Sequence, residues 1–255
     1  TAGGITSCTG LYPFASNGYA FAGIASQDIT SLNGVTPVQN HSSPGTNDIL
    51  LGRINNFGYV QWYTMLGAAL NQNASIIVAD ADDNLYFGGG SNGNVASIGS
   101  VFPLLPYNSG TDPMFGKLNA SGQLLIYGFI GTASNKQATG INIDRNGNLL
   151  FGMGSPDIAS LAGVTPSHAF NGGTDDMAFF EFDTNFGLRT YAFVGDANSD
   201  YDPRFAPVYN GGFLVTGNTI GPLNSVNGRT TKNAHGSPAS LEDWFIARFL
   251  SVKDL

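Results

Sequence analysis

Short apolar runs with rough alternation, separated by Gly, Asn and Asp, recur along the whole chain. In residues 74–131 they read ASIIVAD, NLYFGGG, DPMFGKL and LLIYGFIG. Rich in Val, Ile, Phe and Tyr, these segments are predicted as four strands, called A to D. The Asn/Gly joint between A and B and the NASG at 119–122 between C and D have the residues that tight hairpins with positive φ require. From B to C runs a longer link, rich in Gly, Pro, Ser and Asn. No helical period appears, so the chain reads as all-β.

The same four-strand pattern occurs four times. Strand C opens on Asp48, Asp112, Asp176 and Asp243, in DILLGRI, DPMFGKL, DMAFFEF and DWFIARF, at spacings of 64, 64 and 67. Strand D closes on Gly67, Gly131 and Gly195, again 64 apart. The B to C link carries SLNGVTP, SIGSVFP and SLAGVTP in the first three repeats. One four-stranded sheet cannot bury both its faces, whereas a ring of such sheets can. A β-propeller of four blades, each of four antiparallel strands, is therefore expected as a single domain. Its blades would cover about 9–67, 74–131, 138–195 and 202–255. The last blade lacks its own strand D. Residues 1–8 could fill that place, closing the ring by pairing the N- and C-terminal segments, or the chain could be an excerpt of a longer array. Closure is favoured, because an open edge strand invites aggregation.

DPMFGKLNASGQLLIYGFIG, followed by ATGINIDRNGNLLFGMGSPDIASLAGVTP, resembles the SBBP-type bacterial β-propeller repeat. DILLGRINNFGYVQWYTMLG fits equally well, and the last repeat, whose link loses its Pro, fits least. The resemblance implies a propeller in an exported or cell-surface bacterial protein. It implies no particular activity.

Composition narrows the partners. Only 11% of residues are charged and the net charge is −8, which argues against nucleic acid and anionic membranes as ligands. No apolar run is long enough to span a bilayer, so membrane insertion is not expected. TAGGITSC lacks the basic and apolar regions of a signal peptide, and a chain starting with Thr reads as a mature or excised segment. A single cysteine, Cys8, excludes an internal disulfide framework; ITSC loosely resembles a lipobox, which would make Cys8 a lipidation site.

Candidate chemistry is sparse. DANSDYD places oxygen donors at alternate positions, Asp196, Asn198, Asp200 and Asp202, as at the start of a Ca²⁺ loop. Position 12 of such a loop would be Pro207 instead of Glu, and the competing reading is an acidic link capping its own turn amides. DADDN, with Asp80, Asp82 and Asp83, sits where the other repeats have ordinary turn formers, so turn chemistry explains it. All three histidines, His41, His168 and His235, lie in B to C links, where convergence would suit a transition metal and dispersal a local hydrogen-bonding role. The recurring Asp48, Asp112, Asp176 and Asp243 are expected to be structural, accepting hydrogen bonds from the preceding link, with Gly67, Gly131 and Gly195 as their companions in the repeat. Trp62 and Trp244 are expected to pack between blades. There is no nucleophile elbow, P-loop or Cys/His zinc cluster.

The expectation is a non-catalytic binding or structural module displaying loops at the cell surface to a protein or glycan. Self-association into a surface layer or filament is the nearest alternative, followed by a lectin or a glycan hydrolase. No cofactor is required by the sequence, and calcium is the leading candidate.

Overall fold

Strands form where the apolar alternation places them. The computed structural model describes residues 4–42, 45–68, 70–131, 136–207, 212–221, 225–226, 229–230, 243–250 and 252. Among these there is no α-helix, and the principal strands make four antiparallel sheets in simple sequential order. The first sheet comprises β1 (Ile5–Pro13), β2 (Tyr19–Ala25), β3 (Asp48–Ile54) and β4 (Val60–Leu66). The second comprises β5 (Gln72–Ala79), β6 (Leu85–Ser91), β7 (Asp112–Leu118) and β8 (Leu124–Phe129). The third holds β9 (Ala138–Ile143), β10 (Leu149–Ser155), β11 (Asp176–Phe182) and β12 (Leu188–Val194). The fourth has three strands, β13 (Asp200–Pro207), β14 (Phe213–Thr219) and β17 (Asp243–Phe249). A two-residue ladder, β15 (Ser225–Val226) with β16 (Arg229–Thr230), lies in the last link.

Two compact units divide the chain, Thr1–Ala138 and Thr139–Leu255. In the first, β5 packs against β1, β2 and β3, and the core gathers Leu51, Trp62, Phe87, Tyr127 and Phe129. In the second, β13 packs against β10 and β11, over Met177, Phe179, Phe213 and Phe249. The middle strands β6, β10 and β11 are buried at every position, because both their faces are covered. Strand-D elements β4 and β12 instead start exposed and end buried.

The hairpin turns share one device. The side-chain oxygens of Asn55, Asp80, Asn119, Asp144 and Asp183 each accept backbone N–H groups two and four residues ahead, at 2.8–3.0 Å. This is Asx-turn chemistry, and it accounts for DADDN. The B to C links are also ordered. Leu32, Ile98 and Leu161 bridge Val35, Val101 and Val164, closing SLNGVTP, SIGSVFP and SLAGVTP into tight turns. Each link then runs beside strand D of its own sheet, where Val38, Leu104 and Ser167 donate to the carbonyls of Tyr63, Tyr127 and Tyr191, all at 2.8 Å. The tyrosine hydroxyls reach back to the start of the link, donating to Ile29, Val95 and Ile158 at 2.6, 2.9 and 2.7 Å. The links therefore act as partial fifth strands covering the open edge of strand D.

The N-terminal expectation is corrected. Ile5, Ser7 and Cys8 pair with Ala25, Ile24 and Gly23, so residues 5–8 extend the innermost strand of the first sheet and do not complete the fourth. Among the described residues the fourth sheet ends at β17, and no sheet closes on itself.

Candidate functional site at the strand junctions

Where strand D of one sheet leads into strand A of the next, the recurring Asp and Gly meet. Asp48, Asp112 and Asp176 have no solvent exposure. Each accepts a backbone N–H from the preceding link, from Ser42 at 2.7 Å, Asn108 at 2.5 Å and Asn171 at 2.6 Å. The side chain of Asp243 lies outside the described residues. A Cβ on Gly67 would come within 2.6 Å of both the Asp48 carboxyl and Gln72 Oε1, and one on Gly195 within 2.7 Å of both the Asp176 and Asp200 carboxyls. Glycine is thus required at these two positions by contact. Gly131 departs from this, meeting Asn108 and Pro106 instead.

The Gly67 and Gly195 junctions differ in chemistry. At Gly67 the groups are matched: the Ser42 hydroxyl lies 2.8 Å from Asp48 Oδ1 and 2.9 Å from the Ala68 carbonyl, between which its one proton is shared, and Gln72 accepts from Ala68 N at 3.0 Å while donating to Ser91 Oγ at 3.2 Å. Burial pushes the Asp48 carboxyl up, and the two Ser42 donors and His41 pull it back in part. At Gly195 a second carboxylate, Asp200, stands where Gln72 stands, and Asn171 replaces Ser42, giving its amide to the Gly195 carbonyl at 3.1 Å. Asp176 Oδ1, Asp200 Oδ1 and Asp196 Oδ2 are buried without a donor. Asp200 Oδ2 accepts Asp196 N at 2.8 Å, and Asp196 Oδ1 accepts the Asn198 backbone and side-chain N–H groups at 2.6 and 3.0 Å. The Thr219 hydroxyl faces Asp200 and lowers its pKa, but its single proton has the Gly221 carbonyl 2.8 Å away. Burial, followed by the neighbouring carboxylates of Asp200, Asp196 and Asp175 against one Asn171 N–H, leaves Asp176 pushed up to about 7. Asp200 is raised as well, chiefly by burial.

The acidic motif thus assembles differently from its sequence spacing. Asp196, Asn198 and Asp200 stay together, whereas Asp202 turns away at a bulge in β13, with φ +59° and its carboxyl 3.0 Å from Arg204. Asp176, distant in sequence, takes its place; the signal available was its 64-residue register with Asp48. Among the described residues no three His, Cys, Asp or Glu groups stand preset around one ion position. His41 Nε2 lies 3.2 and 3.1 Å from the carbonyls of Ala25 and Thr46, which makes it a brace of its link. His168 lies in its own link, its carbonyl accepting Phe193 N at 3.0 Å, and His235 is outside the described residues. Cys8 is exposed within β1.

The hairpin turns frame a second kind of site. In the first unit an open cleft of about 470 Å³ is lined by Asn17, Arg53, Gln61, Trp62 and Ser121, among others. Trp62 is 7% exposed, packs its ring under Gly122, and has an indole N–H without an acceptor. In the second unit a cleft of about 320 Å³ is lined by Glu181 and Arg189, paired at 3.3 Å, with Asp144 and Asn148.

No protein-family model and no curated protein matches the chain. Among solved structures, the chain is similar to a protein of unknown function from Bacteroides caccae, at 14% identity and a TM-score of 0.43. The match covers 82% of this chain and 53% of that one, so the chain spans about half the length of its structural neighbour.

Proposed function

We propose that the chain is a non-catalytic binding and structural module of the bacterial cell surface, built as a four-bladed β-propeller. Sequential four-strand sheets at a 64-residue period support the architecture. So do hydroxyl links between innermost strands within each unit: Thr9 to the Ala74 carbonyl at 2.6 Å, and Thr139 to Pro203 at 3.2 Å. Such side-by-side inner strands are what neighbouring propeller blades require.

For the binding role, the B to C links are poor candidates as free recognition loops, since they are tied along strand D. The observation that carries the reading is the Arg53–Trp62 cleft, an uncharged-to-basic, amide- and hydroxyl-lined opening. Its chemistry suits a hydroxyl-rich neutral ligand, a glycan at the cell surface. Arg53 itself is committed to Asp83 and Ser16, so the exposed Gln61, Asn17 and Ser121 are the groups left to read hydroxyls. A glycan array with the intact chain tests this. Binding that is weakened at least tenfold by Gln61→Ala, which removes an exposed amide from the cleft, is the expected result. Turnover of the bound glycan would establish an enzyme instead.

Self-assembly is a second reading with its own observation. Trp244 and Ile246 on β17 are 73% and 60% exposed, whereas Ile49 and Leu51, at the corresponding positions of the first sheet, are fully buried. Trp244 is therefore not the inter-blade packing residue that its place in a strand suggests.

A further inference from the structure

We propose that the junction between β12 and β13 binds a divalent cation, Ca²⁺, through the carboxylates of Asp176, Asp196 and Asp200. The chain supplies its own control in the matched Gly67 junction. There one buried carboxylate, Asp48, receives Ser42 N and Oγ, and the neighbouring strand contributes a neutral amide, Gln72, with donor and acceptor both engaged. At Gly195 Asn171 stands where Ser42 stood and gives Asp176 a single N–H, the amide has become Asp200, whose facing Thr219 hydroxyl has the Gly221 carbonyl 2.8 Å away, and Asp196 adds a third carboxylate. Every buried carboxylate oxygen without a donor among the described residues belongs to these three side chains. Asp176 and Asp200 are themselves fully buried and both face the open side of Gly195, so their oxygens cannot turn to solvent.

A buried carboxylate without a donor requires a positive charge or a proton nearby. No Lys or Arg is among the neighbours that shift the Asp176 and Asp200 carboxyls. The groups present are all oxygen donors, which selects a hard cation over a transition metal. The irregular Asp196–Asp200 turn, with adaptable side chains, suits Ca²⁺ better than Mg²⁺, which demands near-octahedral geometry. Because three groups are not preset around one point, ion entry entails rotation of at least one Asp side chain.

The test uses the intact chain stripped with a chelator and titrated with CaCl₂, read by calorimetry and thermal unfolding. Saturation should raise Tm by about 5 °C or more at a hundredfold excess over Kd, with a weaker response to MgCl₂. Asp200→Gln, which copies the Gln72 junction, should fold, lose the Ca²⁺ response, and melt at or above the metal-free parent. Asp196→Asn, at a half-buried position of the turn, should fold and bind Ca²⁺ at least tenfold more weakly. An unchanged Tm and no binding heat at millimolar Ca²⁺, or a full response retained in both variants, would overturn the proposal. So would a stability that follows pH alone and ignores Ca²⁺, since the carboxylates would then be sharing protons.

Discussion

Asp83 has left an ordinary hairpin turn to serve the neighbouring sheet. Its φ of +61° swings the side chain to Ser16, whose backbone N–H donates at 3.2 Å and whose hydroxyl also donates, and to Arg53 at 3.1 Å. Arg53 in turn lies 4.4 Å over the Phe14 ring, so one carboxylate fixes a cation and an aromatic against two hairpins of the first unit. Burial pushes the Asp83 carboxyl up, but the Ser16 and Arg53 donors outweigh it and the net shift is downward. A folded pKa below the unfolded one contributes stability that is present above the ordinary value of 3.8 and is lost as pH falls through the folded value. Asp83→Asn keeps a residue that tolerates positive φ and removes the charge. It should cost about 1–3 kcal/mol near neutral pH and flatten the acid limb of the stability curve. Urea midpoints measured near neutrality and near pH 3 check this; an equal loss at both would contradict the charge-based account.

At the scale of elements, the repeated phrase SLNGVTP/SLAGVTP is a two-residue turn with both central residues at positive φ. Asn33 and Gly34 stand at +50° and +81°, Ala162 and Gly163 at +50° and +79°. Alanine is the poorer occupant, because its Cβ crowds the following carbonyl in the left-handed region. Ala162→Asn, copying the earlier repeat, should stabilise the chain by roughly 1 kcal/mol and raise Tm by about 2–4 °C. A fall in Tm would show that the strain is absent. These turns, the strands and the Asp-led repeat were legible because each is encoded within a few residues: alternation, Asx and Gly at joints, a fixed period. The path of the links along strand D was not. That ladder is backbone to backbone, from Val38 to Tyr63 or Leu104 to Tyr127, and leaves no side-chain signature in the link. The tyrosines on strand D recurred at the repeat period, but a period alone does not say which carbonyl a hydroxyl will reach. Likewise, alternate acidic spacing suggested Asp202 as a ligand, and a bulge at β13 reversed its direction.

The whole molecule carries few charges, and among the described residues β17 leaves an open edge. Among the described residues β17 has β14 on one side and no partner strand on the other, with Trp244 and Ile246 presented to solvent. Such an edge is a template for strand addition. Concentration-dependent light scattering should therefore fall when both are replaced by Ser; scattering that is absent in the parent chain, or unaffected by the pair, would leave assembly without this basis. The junction glycines carry a different implication, for how such a chain can be recombined. Gly67 is held between a residue of its own sheet and the first residue of the next, and Gly195 likewise, so the smallest exchangeable piece is not the sheet. Cutting at the junction would separate Asp176 from Asp200 and pair each with a stranger. Cutting inside a hairpin turn, such as Asn119–Gln123, would carry each seam across intact. A module defined from turn to turn is the one that gene duplication or a protein engineer could transplant without breaking the lock.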